Sequence, residues 1–287
     1  MTRPLAEPSC WVVIPAYNEG ATVRDVVARA RQHCANVIVV DDGSTDDTVE
    51  TLAGLDITVL RNERNGGKAA SLWRGFQYAL AQGASAIITL DADGQHAPEE
   101  IPALVATTLK TPDVFAIGAR RPMERKASRW RYLANRTADF WISWAAGCPI
   151  EDTQSGFRCY PARLLQQVTL KHGRRQSFVF ESEVLIEAVR QGIPLRFIPV
   201  AVTPRLGPRT SHFRPVVDIV RITKMVALKL LSRGLYPQGF YRALMKGRHT
   251  NDLTERAVVI PKTGLAESTS ENGETVSCAL PVQQVRS

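Results

Sequence analysis

Four short apolar runs in the N-terminal third of the chain are each followed by a loop of small and polar residues. The runs are 11–14, 36–40, 57–60 and 86–90. Apolar side chains at three- and four-residue spacing predict helices over 22–33 and 69–81. Strands that alternate with helices at this rhythm form a mostly parallel sheet with helices on both faces. The sequence therefore predicts an α/β protein with a Rossmann-like arrangement.

The second apolar run ends in two carboxylates, Asp41 and Asp42. Ligands bind at the carboxyl ends of the strands in an open α/β sheet, so both side chains are candidates for ligand contact. Because a carboxylate at a strand tip has few packing partners, we expect Asp42 to have little structural role. The next residues predict a further helix, with Ser44 or Thr45 as its cap and two acids in its first turn.

The fourth run ends in Asp91-Ala92-Asp93-Gly94-Gln95, which places two carboxylates one residue apart at a strand tip. Two carboxylates and an amide oxygen, from Asp91, Asp93 and Gln95, suit a hard cation such as Mg²⁺ or Mn²⁺. Such a cation keeps its other positions for water and phosphate oxygens. The alternative is a surface turn, because Asp and Gly are common there. We expect a divalent-metal site.

The other loops offer groups suited to a nucleotide diphosphate. Side chains that can stack on a base, or accept hydrogen bonds from base and ribose, are Tyr17, Glu19, Asp41 and Asp42. Gly66-Gly67 allows a ligand close to the backbone, and Lys68 supplies a positive charge for phosphate. The sequence has no Gly-x-Gly-x-x-Gly motif after the first run and no loop ending in Gly-Lys-Ser/Thr. The chain therefore lacks the motifs expected of dinucleotide-binding and kinase-type proteins.

These loops resemble the successive motifs of the family 2 inverting glycosyltransferases. The motifs are Pro15-Ala16-Tyr17-Asn18-Glu19, Asp41-Asp42-Gly43-Ser44, Asn65-Gly66-Gly67-Lys68 and Asp91-Ala92-Asp93-Gly94-Gln95-His96. The resemblance implies a GT-A nucleotide-sugar-binding domain over 8–212. It also implies that Pro15, Ala16 and Ala92 belong to the donor site, beside the side chains named above.

Two later segments are similar to the dolichyl- and polyprenyl-phosphate sugar synthases of that family. They are Asp152-Thr153-Gln154-Ser155-Gly156-Phe157-Arg158 and Phe180-Glu181-Ser182-Glu183. This similarity implies a UDP- or GDP-sugar donor and a polyprenyl-phosphate acceptor. Related soluble transferases share the first element, so a soluble or hydroxyl acceptor is the alternative.

The resemblance also implies a mechanism. A metal on Asp93 and Gln95, with help from Asp91, would bridge the two donor phosphates and neutralise the departing diphosphate. Further positive charge would come from Arg120 and from Arg205 or Arg209. With a phosphate acceptor, Asp152 would orient groups or balance charge. With a hydroxyl acceptor, Asp152 or Glu181 would act as general base, although acids at a helix start are also common for structural reasons.

The formal net charge of +8 is concentrated towards the C-terminus. Ten Lys and Arg residues lie between Arg205 and Arg248, against the single acid Asp218. We expect a basic amphipathic helical extension over 213–248 and a disordered tail over 249–287. Such an extension is typical of contact with an anionic lipid surface. The alternative is a helix docked on the protein's own core with its charges solvated.

Composition argues against several other partners and locations. No apolar run reaches the roughly 18–20 residues of a bilayer span, and no secretory signal precedes the first strand. The five cysteines lack metal-ligand spacing and suit a reducing cytosol. We therefore expect a cytoplasmic protein, peripheral on the cytoplasmic face of the membrane. A nucleic-acid partner is not expected, because the basic region lacks interleaved aromatic residues. The sequence gives no indication of an oligomeric state.

The segment Phe140-Trp141-Ile142-Ser143-Trp144-Ala145-Ala146-Gly147-Cys148 leaves two interpretations open. Its indoles favour a boundary that is apolar on one side and wet on the other, or they pack a helix onto the sheet. In the synthases that the chain resembles, this segment lies beside the lipid acceptor.

Two further classes of protein remain as alternatives. A nucleotidyltransferase would carry a Gly-rich, basic loop after the first strand, where this chain has Pro-Ala-Tyr-Asn-Glu. A non-catalytic nucleotide-sugar-binding protein would tolerate loss of the metal carboxylates or of Asp152, and this chain retains them.

Overall fold

A computed structural model describes residues 9–111, 113–120, 129–168, 177–203, 215–232, 234–245 and 257–258. The strands are β1 (Cys10–Ala16), β2 (Asn36–Asp41), β3 (Thr58–Arg61), β4 (Ala86–Thr89), β5 (Phe115–Arg120), β6 (Arg158–Pro161), β7 (Leu195–Val200) and β8 (Ala257–Val258). The α-helices are α1 (Val23–Arg31), α2 (Lys68–Ala81), α3 (Ile101–Lys110), α4 (Arg129–Ala146), α5 (Ala162–Gln167), α6 (Ser177–Arg190), α7 (Pro215–Leu231) and α8 (Pro237–Met245).

The strands form one sheet in the order β3-β2-β1-β4-β6-β5-β7-β8. The neighbours β3-β2, β2-β1, β1-β4 and β5-β7 run parallel, while β6 and β8 are antiparallel to their neighbours. The prediction of a mostly parallel α/β sheet is confirmed. Parallel pairing places the ends of β1, β2 and β4, and therefore the loops that follow them, at one edge of the sheet.

Both faces of the sheet are buried, because successive side chains of a strand point to opposite faces. In β1, Val13 joins one apolar cluster with α2 and α6, while Val12 and Ile14 join a second cluster with α1. Cys34, Cys148 and Cys159 are buried as small apolar groups, and Cys10 is half-buried.

The prediction of a helix after Ser44 is wrong. The segment contains only a single 3₁₀ turn, Glu50–Leu52. Ser44 Oγ instead accepts a hydrogen bond from the N–H of Asn18, at 2.8 Å, and Asp46 Oδ2 accepts one from the N–H of Gly20, at 3.2 Å. The side chains that could have capped a helix hold the loop after β1, so a tertiary contact replaced the local one.

Helices α7 and α8 pack on the rest of the chain. One face of α7 buries Ile222, Val226 and Leu230 in the cluster that includes α4 and α6. The alternative prediction, a helix docked on the protein's own core, therefore holds for that face of α7. The helix docks on other helices rather than on the sheet. The described residues include no helix long and apolar enough to cross a bilayer. The division at residues 212 and 248 remains a prediction.

Arg158, the first residue of β6, is fully buried and makes three hydrogen bonds to backbone carbonyls. Its Nε donates to Ser155 O at 2.8 Å, Nη2 to Thr153 O at 2.8 Å, and Nη1 to Glu181 O at 2.7 Å. One guanidinium thus joins the loop before β6 to the first turns of α6. A planar fork of five donors suits three acceptors in different directions, which an ammonium group cannot match.

We expect Arg158→Met to lower the free energy of unfolding by at least about 3 kcal/mol, because each buried acceptor left without a partner costs about 1–3 kcal/mol. Arg163→Met is the matched control, since Arg163 is exposed and pairs with Asp113 at 3.3 Å on the surface. Such pairs contribute below about 1 kcal/mol. Urea denaturation compares the two variants, and equal losses would contradict a structural role for Arg158.

Candidate functional site

The predicted donor loops meet at the carboxyl ends of β1, β2 and β4. Ala16 lies opposite Asp41 in the register of β1 and β2, and Pro15 lies one residue before it. Ala16 is buried and Pro15 is half-buried, so they form the end of β1 rather than a flexible loop. Tyr17 and Glu19 follow at this edge and are half-buried.

The loop after β1 is fixed by the loop after β2. The N–H of Glu19 donates to Thr48 Oγ1 at 2.8 Å, and the N–H of Thr45 donates to Asn18 Oδ1 at 2.8 Å. Asn18 has φ of 55°, a left-handed conformation that Asn adopts more readily than most residues. Tyr17 thus lies between the anchored residue Asn18 and Ala16, whose carbonyl accepts a hydrogen bond from the N–H of Asp42 at 2.8 Å.

Asp42 is an internal anchor for the glycine loop. Its Oδ1 accepts hydrogen bonds from the N–H of Gly66, at 2.8 Å, and from Asn62 Nδ2, at 2.9 Å, while its Oδ2 accepts from the N–H of Gly67 at 2.8 Å. The expectation that Asp42 has little structural role is wrong, because its carboxylate is buried and shapes the loop that precedes Lys68.

Asp41, the other carboxylate after β2, is also buried. Its Oδ2 lies 3.3 Å from Arg61 Nε, and its Oδ1 accepts a hydrogen bond from the N–H of Ser44 at 3.2 Å. The side chain of Arg61 is largely exposed, so this pair reaches the surface beside the first loop.

Lys68, at the start of α2, joins two carboxylates. Its Nζ lies 2.7 Å from Asp91 Oδ1 and 3.2 Å from Glu181 Oε1. Burial alone would lower the pKa of Lys68, but the two carboxylates raise it above its usual value. Burial likewise opposes ionisation of Asp91, and Lys68 outweighs it, which lowers the pKa of Asp91. Lys68 and Asp91 are therefore both charged near neutral pH.

Gly156 allows the loop before β6 to pass over this ion pair. A Cβ atom at residue 156 would lie 2.6 Å from Asp91 Oδ2 and 3.0 Å from Lys68 Nζ. The carbonyl of Gly156 accepts a hydrogen bond from Thr89 Oγ1 at 2.7 Å, which fixes the loop to the end of β4. The segment resembling the synthases therefore touches the first carboxylate of the predicted metal motif.

The predicted metal ligands lie in one short turn. Asp93 Oδ1 accepts a hydrogen bond from the N–H of Gln95 at 3.1 Å, and Asp91, Asp93 and Gln95 are all half-buried. Ala92 is buried, and its carbonyl accepts a hydrogen bond from Thr22 Oγ1 at 2.8 Å. Two carboxylates and an amide oxygen fit a hard cation that completes its shell with water and phosphate. Within the described residues, no three His, Cys, Asp or Glu side chains are grouped to hold a metal by themselves.

Arg120 and Asp152, both predicted as catalytic, form a pair with each other. Arg120 Nη2 donates to Asp152 Oδ1 at 2.6 Å, Nε donates to Oδ2 at 2.9 Å, and the N–H of Arg120 donates to Oδ2 at 2.7 Å. Asp152 is buried and has φ of 50°. Burial opposes the charge on Arg120, but the bond to Asp152 dominates and raises the pKa of the guanidinium.

Sequence reasoning assigned no role to two residues of this site, Arg158 and His96. Arg158 ends the segment that resembles the synthases, but its role was not predicted, because backbone acceptors, two in the preceding loop and one in α6, leave no pattern of side chains in the sequence. His96 is buried beside Phe157, with ring centroids 5.5 Å apart, and its Nδ1 has no hydrogen-bond partner among the described residues. Burial lowers the pKa of His96, although Asp91 opposes this, so the imidazole is neutral at pH 7.

Arg205 and Arg209, predicted to contact phosphate, lie outside the described residues. The segment that precedes them is nevertheless bonded to the turn 91–95, which contains the predicted metal ligands. The N–H of Thr203 donates to Gln95 O at 2.9 Å, and Val202 pairs with His96 in an isolated bridge.

Comparison with known proteins agrees with this geometry. The sequence model of the family described as "Glycosyl transferase family 2" matches residues 11–168. The polyprenol monophosphomannose synthase of Mycolicibacterium smegmatis is 30% identical over 205 residues, which cover 68% of this chain and 77% of that protein. The UDP-N-acetylglucosamine–dolichyl-phosphate N-acetylglucosaminyltransferase of Methanococcus voltae is 27% identical over 68% of this chain and 86% of that protein.

Solved structures show the same fold. Glucosyl-3-phosphoglycerate synthase from Mycobacterium tuberculosis, in complex with Mn²⁺, UDP and glucosyl-3-phosphoglycerate, aligns with a TM-score of 0.58 and 22% identity over 79% of this chain and 80% of that one. The same enzyme with Mg²⁺ and UDP gives a TM-score of 0.59 and 23% identity, again over 79% and 80% of the two chains. The match of the family model over more than half of the sequence, together with the sheet order and the strand-end carboxylates, shows that this chain belongs to glycosyl transferase family 2.

Proposed function

We propose that this chain is an inverting glycosyltransferase that moves a sugar from a nucleotide diphosphate sugar to the phosphate of a polyprenyl phosphate. The observation behind this choice of acceptor is that both candidate bases are bound to cations. Asp152 holds Arg120 through both carboxylate oxygens, and Glu181 lies 3.2 Å from Lys68. Protonating either carboxylate would break an ion pair. The site is therefore better suited to an acceptor that arrives already ionised.

A phosphate monoester is such an acceptor. Its second pKa is about 6, so it carries a charge of about −1.5 to −2 at pH 7 and needs no base. The lipid-phosphate acceptors in the names of both relatives support this choice. Arg205 and Arg209, which follow a segment bonded to Gln95, are proposed to bind donor or acceptor phosphate, where the Arg fork matches phosphate oxygens.

A divalent metal, Mg²⁺ or Mn²⁺, is proposed on Asp93 and Gln95, with Asp91 assisting. When bound, it would neutralise the charge of the departing nucleotide diphosphate. The metal ions and UDP in the similar structures support this assignment. Lys68 holds Asp91 in place, and Tyr17, Glu19 and Asp41 are proposed to bind the base and ribose of a UDP- or GDP-sugar. Asp42 is proposed to act on the donor through the Gly66-Gly67 loop.

The lipid acceptor also requires a location at a membrane surface. We propose that the protein binds peripherally to the cytoplasmic face, with the basic extension over 213–248 facing anionic lipid. The competing acceptor is a hydroxyl group, which would require Asp152 or Glu181 to be released from its cation before it could act as base.

The acceptor class can be tested directly. Purified protein is incubated with Mn²⁺, a panel of UDP- and GDP-sugars, and either a polyprenyl phosphate or the matching polyprenol, with products followed by mass spectrometry. We expect a glycosylated polyprenyl phosphate and no glycosylated polyprenol. Transfer to the alcohol alone would reject the proposed acceptor.

We expect Asp93→Asn to abolish transfer while the protein stays folded. Loss of the metal forfeits several kcal/mol of transition-state stabilisation, and each ~1.4 kcal/mol is tenfold in rate. Asp56→Asn is the matched control, because Asp56 is an exposed surface carboxylate paired with Arg31 at 2.8 Å. Rates are measured with added Mn²⁺ and with chelator. Substantial turnover by Asp93→Asn under strict metal depletion would exclude the metal assignment.

Asp152→Asn tests whether Asp152 is a base. We expect slower transfer, because Arg120 loses its anionic partner, but an unchanged pH profile that rises through about pH 6 as the acceptor phosphate ionises. The rate above pH 7 should fall by less than the roughly 10²–10⁴-fold expected for loss of a general base. A larger loss that is independent of acceptor ionisation would assign the base role to Asp152.

We expect Asp42→Ala to weaken binding of the nucleoside diphosphate and also to lower the free energy of unfolding, by about 1–3 kcal/mol, because the buried N–H groups of Gly66 and Gly67 lose their acceptor. Calorimetry gives the affinity and urea denaturation the stability. Glu63→Ala, at an exposed position of the same loop region, is the control. Weaker binding with unchanged stability would instead indicate direct contact of Asp42 with the nucleotide.

A further inference from the structure

The large apolar side chains that are exposed gather on one part of the molecule. Of nine such side chains in the described part of the chain, seven lie on α4, α7, α8 or the turn between α7 and α8. Soluble proteins rarely expose apolar side chains in a contiguous patch without a partner for it.

Five of these side chains, on α4, α8 and the turn before α8, are here called the aromatic patch: Trp141, Leu235, Phe240, Tyr241 and Leu244. Their exposed fractions are 39%, 54%, 39%, 60% and 54%. The ring centroids of Phe240 and Trp144 are 4.8 Å apart, and Trp144 stacks on Trp141 with centroids 5.2 Å apart. Trp144 Nε1 donates to Leu235 O at 3.0 Å, which ties the turn to the same helix.

The patch is rigidly mounted. Tyr236 is buried between α4 and α8, and a Cβ atom at Gly147 would lie 2.5 Å from its ring. Helix α8 buries Gly239 and Ala243 towards α4, which turns Tyr241 and Leu244 outwards. Within the tryptophan segment, Trp144 packs partly against the apolar core, as the packing interpretation expects, while Trp141 reaches solvent.

We infer that the aromatic patch inserts into the surface of a lipid bilayer beside the acceptor site, an inference that rests on the proposed function. Trp and Tyr rings combine an apolar body with a polar edge, which suits the boundary of a membrane. Lys224 and Arg242 on α7 and α8 match the charge of anionic lipids. Lys229 is less available, because it pairs with Glu183 at 3.0 Å.

Helix α4 connects the patch with the acceptor side of the site. Asp139 lies two residues before Trp141 on α4. Its Oδ1 accepts hydrogen bonds from the N–H and Oγ1 of Thr153, at 2.9 and 2.7 Å. Thr153 follows Asp152 directly. A lipid phosphate in a bilayer that touches the patch is thus presented near the Arg120–Asp152 pair, and the acceptor need not leave the membrane.

The double variant Tyr241→Ser, Leu244→Ser tests the patch, and Val59→Ser, Leu109→Ser is its control, because these two residues are exposed apolar residues elsewhere, at 38% and 55%. Sedimentation with anionic phospholipid vesicles is measured at low and high salt. We expect the parent and the control to bind and to retain part of that binding at high salt, because apolar insertion is not screened. The double variant should bind at least tenfold more weakly.

Activity separates this inference from the proposed function. The double variant should transfer sugar normally to a short, water-soluble prenyl phosphate but poorly to a long polyprenyl phosphate in vesicles. If the parent cannot use even the soluble prenyl phosphate, the proposed acceptor is wrong, whatever the vesicle binding shows. If the double variant binds vesicles as the parent does, or if the parent is released completely by salt, insertion of the patch is wrong.

Two further measurements keep the outcome clear. Lipids brominated along their acyl chains should quench tryptophan fluorescence of the parent, and less so in Trp141→Phe, which leaves α8 intact. Equal quenching in both would contradict insertion. Sedimentation equilibrium completes the test: a dimer that the double variant abolishes, with vesicle binding unchanged, would assign the patch to a second copy of the chain.

Discussion

The geometry of the site depends on how the loop 152–158 is held. Arg158 donates hydrogen bonds to Thr153 O and Ser155 O of this loop, and Thr89, at the end of β4, donates one to Gly156 O. With these bonds in place, Asp152 reaches Arg120 and the backbone of residue 156 lies against Asp91. The three hydrogen bonds of Arg158 to backbone carbonyls, at 2.7–2.8 Å, offset the cost of burying its guanidinium.

Before any substrate is considered, these carboxylates already lie beside cations. Lys68 is shared by Asp91 and Glu181, and Arg120 pairs with Asp152. Coulomb interactions are stronger at partly buried positions than in water, so the charged side chains that contact each other also hold each other in place. Such a site gains little from proton transfer to its carboxylates. Because its carboxylates outnumber Lys68 and Arg120, it needs the proposed metal and further Arg side chains to hold reactants that bring their own negative charges, as a nucleotide diphosphate and a lipid phosphate do.

Local patterns in the sequence predicted the first four strands, helices α1 and α2 and the edge where the polar loops meet, because apolar periodicity reports directly on burial. Long-range pairing was not predictable. Asp42 binds Gly66 and Gly67, and Arg120 binds Asp152, although neither pair is close in sequence. Ser44 failed as a cap for the same reason, since its partner Asn18 belongs to another loop. Sequence reasoning thus placed these carboxylates at one edge of the sheet but did not predict the groups that contact them.

Helix α4 shows why a reaction on a lipid phosphate favours this arrangement. Each buried CH₂ of a prenyl chain contributes about 0.8 kcal/mol to membrane anchoring, so removing the whole acceptor from the bilayer would cost more than a binding site can return. An enzyme that uses such an acceptor must therefore bring its site to the lipid surface. In this chain, Asp139 binds the loop that holds Asp152, and Trp141 on the same helix reaches solvent within the aromatic patch. A single helix therefore connects the proposed membrane contact with the Arg120–Asp152 pair.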